Sequence, residues 1–280
     1  MKSALKIIAP IILIALLLPV LFYAGLVIYG DWHDEWSGYN ASGYVSDGEC
    51  NIATIPIVGD IATFGISTDE EGAEMLTTTM SDTLSALGNA ERDPNIAGIM
   101  LLVDSGGGSP SAGMMIADEL KKNSLPSGAF IFDIGASSAY LAASGADTII
   151  ATPMADVGSI GVTMSYLQNT QYNEINGQEY IELISAKFKD AGSPDRPLTQ
   201  EEKALFQRDL DLAHEEFVRM ISENRDIPSE EVEKIADGST LPAKLALEKK
   251  LIDGIGNKET MRAWFADQLE LTPEEVIFCH

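Results

Sequence analysis

The sequence predicts an α/β fold built from repeated strand–turn–helix units and preceded by one N-terminal transmembrane helix. Three observations carry that expectation. "IAGIMLLV" and "GAFIFDIG" are apolar runs of the kind that buried parallel strands show. Each is followed by glycine or small residues and then by a helical pattern, an order that implies parallel pairing with helices crossing over the sheet. Ahead of both, Ile7 to Tyr29 carries no charge, and as a helix it is long enough to cross a hydrocarbon core of roughly 30 Å.

The flanks of that span orient it. Lys2 and Lys6 precede it and the acidic "GDWHDEW" follows, which places the N-terminus in the cytoplasm and everything after Tyr29 outside, with Trp32 and Trp36 at the interface. A cleaved signal peptide has a shorter apolar region and a small-x-small site, which "FYAGLVIYGDW" lacks. The chain therefore divides into a cytoplasmic stub and anchor at 1–29, a Gly/Ser/Asp-rich juxtamembrane linker at 30–50, and one domain at 51–280. Asn40-Ala41-Ser42 in the linker is a glycosylation sequon.

Composition excludes whole classes of partner. Forty-three acids against 18 bases give a formal charge of −25, which repels nucleic acid and anionic head groups. Cys50 and Cys279 stand at the two ends of the domain. Outside the cell a disulfide between them would tie those ends together. Neither has metal-ligand spacing, so no metal is expected.

Along the domain, "NIATIPIVG" reads as a strand, and Leu76, Met80, Leu84 and Leu87 mark one face of a helix ending before Asp93-Pro94. After "IAGIMLLV" comes a glycine turn, "DSGGGSP", then the helical "SAGMMIADELKK". Gly106, Gly107 and Gly108 allow backbone N–H groups to approach a ligand at a helix N-terminus. The run lacks the ending of a P-loop and does not fit GxGxxG, which leaves an oxyanion hole or a structural turn. The second turn, "FDIGASSAYLAASGAD", sets Ser137 and Ser138 at the start of a helix, as cap or as nucleophile.

A nucleophile needs a base. His33 abuts the membrane, His280 is the last residue, and His214 lies in a helix that opens with a Thr199-x-x-Glu202 capping box and reads as a surface residue. Lysine serves when it is held neutral. Lys187 and Lys189 in "ISAKFKDAGSPDRP" would share one face of an extended segment, opposite Phe188. Composition alone reads both as solvated.

Four blocks decide among these readings: "LLVDSGGGSPSAG", "GASSAYLAASGADTIIATPMADVGSIGV", "AKFKDAGSPDRPLTQEE" and "IADGSTLPAKLALEKKLIDGIG". In order and spacing they resemble the signal peptide peptidase A family of membrane-anchored serine proteases, over roughly residues 50–260. The resemblance implies a Clp protease/crotonase fold and a Ser-Lys dyad that uses no metal or nucleotide. Ser137 in "ASSAY" takes the nucleophile's place, and Lys189, in a Lys-Asp pair ahead of Ser-Pro-x-Arg, takes that of the base. It further implies oxyanion donors near Gly107, hydrophobic substrates such as signal-peptide remnants, and a homo-oligomeric ring in which neighbouring subunits share each site. The sequence departs from the family at Gly106, where proline is usual, and at Ser138 and Ala139, where two glycines are usual. The contrasting reading is a catalytically silent scaffold that binds peptides through the same fold.

Overall fold

Alternating apolar residues build the sheet. The computed structural model describes residues 48–68 and 72–279. The expected anchor, most of the linker, the sequon, His33 and His280 lie outside the described residues. Three long strands, β1 (Ile52–Ala62), β3 (Gly98–Gly108) and β4 (Ser127–Ala136), form the centre. With β2 (Thr77–Thr79), β5 (Thr148–Ala151) and β8 (Gly254–Ile255) they run in the order β2-β1-β3-β4-β5-β8, every neighbouring pair parallel. From β4 branches β6 (Asp156–Gly158), which also pairs antiparallel with β7 (Thr240–Pro242). This is the mixed α/β sheet that the repeated strand–glycine–helix pattern predicts.

The period-2 pattern divides the core between two faces. Ala53, Ile55 and Ile57 of β1, Ile99, Leu101 and Val103 of β3, and Ile131 of β4 join one cluster. There α1 (Met80–Arg92), α2 (Pro110–Lys122), α3 (Ser138–Ala143) and the end of α5 (Gln200–Arg225) cover the sheet. The intervening residues Ile52, Met100, Leu102 and Phe130 turn the other way, against Met261 and Phe265 of α8 (Lys258–Leu269) and against Phe278. The remaining helices, α4 (Thr170–Ile175), α6 (Ser229–Glu233) and α7 (Ala243–Glu248), are short. Among the described residues no helix is long and apolar enough to cross a membrane, and no group of side chains could hold a metal ion.

Two sequence expectations need correction. The glycine run is strand rather than turn: β3 continues through Gly108, with Gly107 and Gly108 paired to Asp60 and Ile61 and Ser105 paired to Gly135. Both neighbouring strands shift register there, a bulge that carries the chain past the end of the regular ladder. Gly108 has φ +148°, and a Cβ on it would lie 2.3 Å from the Ile61 carbonyl oxygen, so only glycine fits. The turn itself is Ser109, which caps α2 by accepting from the Ala112 N–H, with Pro110 at the first helical position. Leu76, expected on the first helix, precedes it and is exposed. Thr79 caps α1 instead, and its buried face is Met80, Thr83, Ala86, Leu87 and Ala90.

The two ends of the domain meet. Cys50 and Cys279 form a disulfide with their Cα atoms 5.1 Å apart. Beside it, the Cys279 N–H donates to the Ile52 carbonyl at 2.8 Å, and Asn51 Nδ2 donates to the Glu275 carbonyl at 2.8 Å.

Candidate active site

The end of β4 delivers Ser137 into a sharp turn before α3. Its backbone has φ +52° and ψ −127°, a conformation that costs a non-glycine residue about 1–3 kcal/mol. The surroundings enforce it. The Ser137 N–H donates to the Gly158 carbonyl at 2.7 Å, and the Ser137 carbonyl accepts from the Leu141 N–H at 3.0 Å. Every residue of α3 is buried. Gly107, with φ +107°, passes so close that a Cβ there would lie 2.8 Å from the Ser137 Cβ. Although Ser137 occupies the position before the first helical residue, its side chain makes no capping hydrogen bond. The hydroxyl is left half-exposed on the wall of an open cavity of about 450 Å³.

Ser138 is placed differently. Its side chain is 1% exposed and its Oγ has no hydrogen-bond partner. A Cβ on Gly113 of α2 would lie 2.9 Å from the Ser138 Cβ, so this serine fills the α2–α3 contact rather than the cavity. The Ser138 N–H begins α3 and belongs to the set of donors that a helix leaves without intrahelical partners. Gly106 lines the cavity with Ser137. The Gly107 N–H donates to Ser105 Oγ at 3.1 Å, and Ser105 Oγ in turn donates to the Gly59 carbonyl at 2.6 Å. For Gly107 to hold an oxyanion, that bond must be given up or shared.

The rest of the cavity wall mixes the polar Ser159, Thr163, His214 and Asp237 with the apolar Val162 and Ala236. His214 is thus a half-buried cavity residue, not the helix-surface residue that the amphipathic pattern of α5 suggests. The reason is its phase, three, four and seven residues before the buried Phe217, Val218 and Ile221. Asp237 accepts from both the N–H and the hydroxyl of Ser239, which hold its carboxyl below the usual carboxylate range. Next door, sharing Val162, is a smaller pocket of about 150 Å³ lined by Met114, Leu141, Phe217 and Met220. Behind the glycines, burial pushes the Asp104 carboxyl upward against a hydrogen bond from the Ile134 N–H.

Lys187 and Lys189 are not in this cavity among the described residues that line it. Nor is their segment extended. Residues 185–192 form a turn in which the Lys189 N–H donates to the Ala186 carbonyl at 3.0 Å, and Lys189 is exposed. Lys187 pairs with Glu201 at 2.6 Å and lies over the Phe188 ring, 5.2 Å from its centroid, instead of opposite it. What sequence reasoning missed is Arg196, whose guanidinium forks onto Glu202 through Nη1 at 3.0 Å and Nη2 at 2.6 Å. The Arg196 fork and hydrogen bonds from Thr199 pull the Glu202 carboxyl down to about 2.

The profile of peptidase family S49 matches residues 119–272, which include Ser137 and Lys189. A Methanocaldococcus jannaschii protein named as a protease is 32% identical over 179 residues, 63% of this chain and 57% of that relative. An Enterococcus faecium protein named as a signal peptide peptidase is 30% identical over 197 residues, 69% of this chain and 57% of the relative. The match therefore spans little more than half the length of these relatives. Among solved structures, a mutant of the membrane-bound stomatin-specific protease 1510-N shares the fold, with TM-score 0.50 and 15% identity over 77% of this chain and 84% of that one. With more than half of its length matched by the family profile, the chain belongs to peptidase family S49.

Proposed function

We propose that this chain is a serine peptidase with Ser137 as nucleophile and Lys189 as general base. One observation carries the serine: a strained backbone presents an uncapped hydroxyl on the wall of an open cavity, at the N-terminus of a buried helix. A serine serving only as a helix cap would have neither the strain nor the free hydroxyl. In the proposed reaction, the neutral Lys189 amine takes the Ser137 proton as Oγ attacks a peptide carbonyl. The amine returns the proton to the leaving amino group, and water then hydrolyses the acyl-enzyme by the reverse sequence of transfers. The Ser138 N–H, together with that of Gly107 once released from Ser105, would hold the oxyanion. The pocket around Met114, Leu141 and Phe217 suits an apolar substrate side chain.

Lys189 would come from a neighbouring subunit. Leu167, Ile175, Ile181 and Leu183, in the segment leading to it, are 72–94% exposed, which is characteristic of a surface awaiting a partner. A heterologous contact repeated around a closed ring would bring each lysine to the next serine. Anchoring through Ile7–Tyr29 would hold the ring outside the cytoplasmic membrane, over hydrophobic peptides such as the signal-peptide remnants in the Enterococcus relative's name.

A second reading of the base rests on His214 and Asp237, which share the cavity with Ser137 in one chain. Substitution separates the two: Lys189→Ala is inactive and His214→Gln active if lysine is the base, and the reverse holds if histidine is. The serine is tested by fluorophosphonate labelling with mapping of the adduct. Labelling at Ser137 that disappears in Ser137→Ala is expected. An adduct on Ser138, or none on a folded protein, would overturn the assignment and favour a silent scaffold.

A further inference from the structure

The segment that carries Lys189 has little packing of its own. Every residue of α4 is at least partly exposed, and from Gly177 to Lys189 all side chains are exposed. Two cations tie the Lys189 turn to the start of α5: exposed Lys187 pairs with Glu201, and the largely buried Arg196 reaches the backbone of the turn itself. Its Nη2 donates to the Asp190 carbonyl at 3.0 Å, directly beside Lys189, and the same guanidinium forks onto Glu202 in the first turn of α5. Glu202 is 3% exposed and is itself fixed by the Thr199 capping box. One cation therefore joins the chain next to the base to the rigid end of a 26-residue helix.

The same cation arranges charge. Arg196 Nε lies 3.4 Å from Asp190 Oδ2 and 3.7 Å from Glu182 Oε2, ion-pair distances without a hydrogen bond. The Tyr180 hydroxyl donates to the same Asp190 oxygen at 2.7 Å. Of the other charges on this segment, Lys187 and Glu201 neutralise each other, and Asp195 accepts from Asn173 at 2.9 Å. Carboxylates beside an amine favour its protonated, inactive form. In a chain of net charge −25 this is the wrong direction for a lysine base, and Arg196 pairs with three carboxylates at once, Glu182, Asp190 and Glu202.

We propose that Arg196 is a positioning residue for Lys189: it clasps the Lys189–Asp190 turn to the start of α5 and pairs with the Asp190 and Glu182 carboxylates of the same segment. This rests on the reading of Lys189 as the base. The test uses full-length protein and a peptide substrate, with kcat and KM measured across pH for Arg196→Gln, Arg196→Lys, Asp190→Asn and Lys189→Ala. Arg196→Gln should lower kcat about 10–100-fold with KM within about twofold, since a small misplacement of a catalytic group has effects of this size. Its alkaline limb should move to higher pH because Asp190 and Glu182 lose their counter-ion. Arg196→Lys, which keeps the charge but not the fork, should fall between Arg196→Gln and the parent. Asp190→Asn should move the limb the opposite way, to lower pH, a signature that general destabilisation does not produce. If Arg196→Gln does not assemble, the Arg196→Lys and Asp190→Asn profiles decide. Parent-like kcat and pH limb in Arg196→Gln, or limbs of Arg196→Gln and Asp190→Asn that move together, with Lys189→Ala inactive, would overturn the clasp while leaving the base in place. Full activity in Lys189→Ala would remove both.

Discussion

Around Ser137 the chain is buried on both sides, from Gly135 to Ala143, whereas from Thr163 to Lys189 nearly every side chain is exposed. The proposed nucleophile, Ser137, is built by the core of one chain: β4 delivers it, Gly107 leaves room for it, and α3 follows it as a fully buried helix. The proposed base rides on a segment with exposed apolar residues, held to α5 by the exposed Lys187–Glu201 pair and by the Arg196 clasp. The two members of the proposed dyad are thus unequally preorganised: the serine's geometry is stored in the fold, and under the proposal the exposed lysine arm would acquire its geometry on assembly, when its apolar side chains are covered.

The comparison is broken most severely at Gly107. Gly107→Ala must accept a positive φ and a contact of 2.8 Å with Ser137. Strain and overpacking together should cost about 2–6 kcal/mol. Thermal melting should show this loss and fluorophosphonate labelling should fall with it. A stable, fully labelled variant would mean that the serine turn is softer than described.

Next in size is the disulfide, which closes a loop of 229 residues in the body. Replacing Cys279 with serine should lower stability by about 2–5 kcal/mol, read as a lower denaturant midpoint with a steeper slope, because the uncrosslinked denatured chain exposes more surface. Because the bond lies in the body, proteolytic nicking within residues 177–189 should be unaffected under native conditions. Faster nicking there would show that body and arm are coupled.

Smallest is Ser138→Ala. The buried Oγ has no partner, so removing it should stabilise the protein by about 1 kcal/mol, observable as a higher melting temperature. Activity should persist, since the proposed role of Ser138 uses its backbone N–H rather than its hydroxyl. Loss of labelling in this variant would move the nucleophile one residue along.

Much of the body was legible in the sequence because its physics is local. Ile99 to Val103 and Phe130 to Phe132 announce strands by composition, and Thr199 with Glu202 announces the start of α5 by a side-chain pattern that the structure reproduces. The glycine run was misread because residues without Cβ carry no strand periodicity. Its pairing to Asp60, Ile61 and Gly135 is decided by other parts of the chain. His214 was recoverable from its phase relative to Phe217, Val218 and Ile221, but a charged helix face masked it. Arg196 in the Ser-Pro-x-Arg segment carries no signal of its role in the sequence, because its partners Asp190 and Glu202 lie six residues away on either side. Lys189 stands apart from the Ser137 cavity because its segment folds as a turn closed by the bond from its own N–H to the Ala186 carbonyl, which no periodicity announces.

The central claim is that Ser137 and Lys189 complete a site across an interface between subunits. Inactive Ser137→Ala and inactive Lys189→Ala chains, co-expressed and purified as mixed oligomers through two different tags, test it directly. The account predicts partial recovery of peptide hydrolysis, because some interfaces then pair an intact Ser137 with an intact Lys189. Mixed oligomers that are shown to form and yet remain inactive would place the dyad within one chain and contradict it.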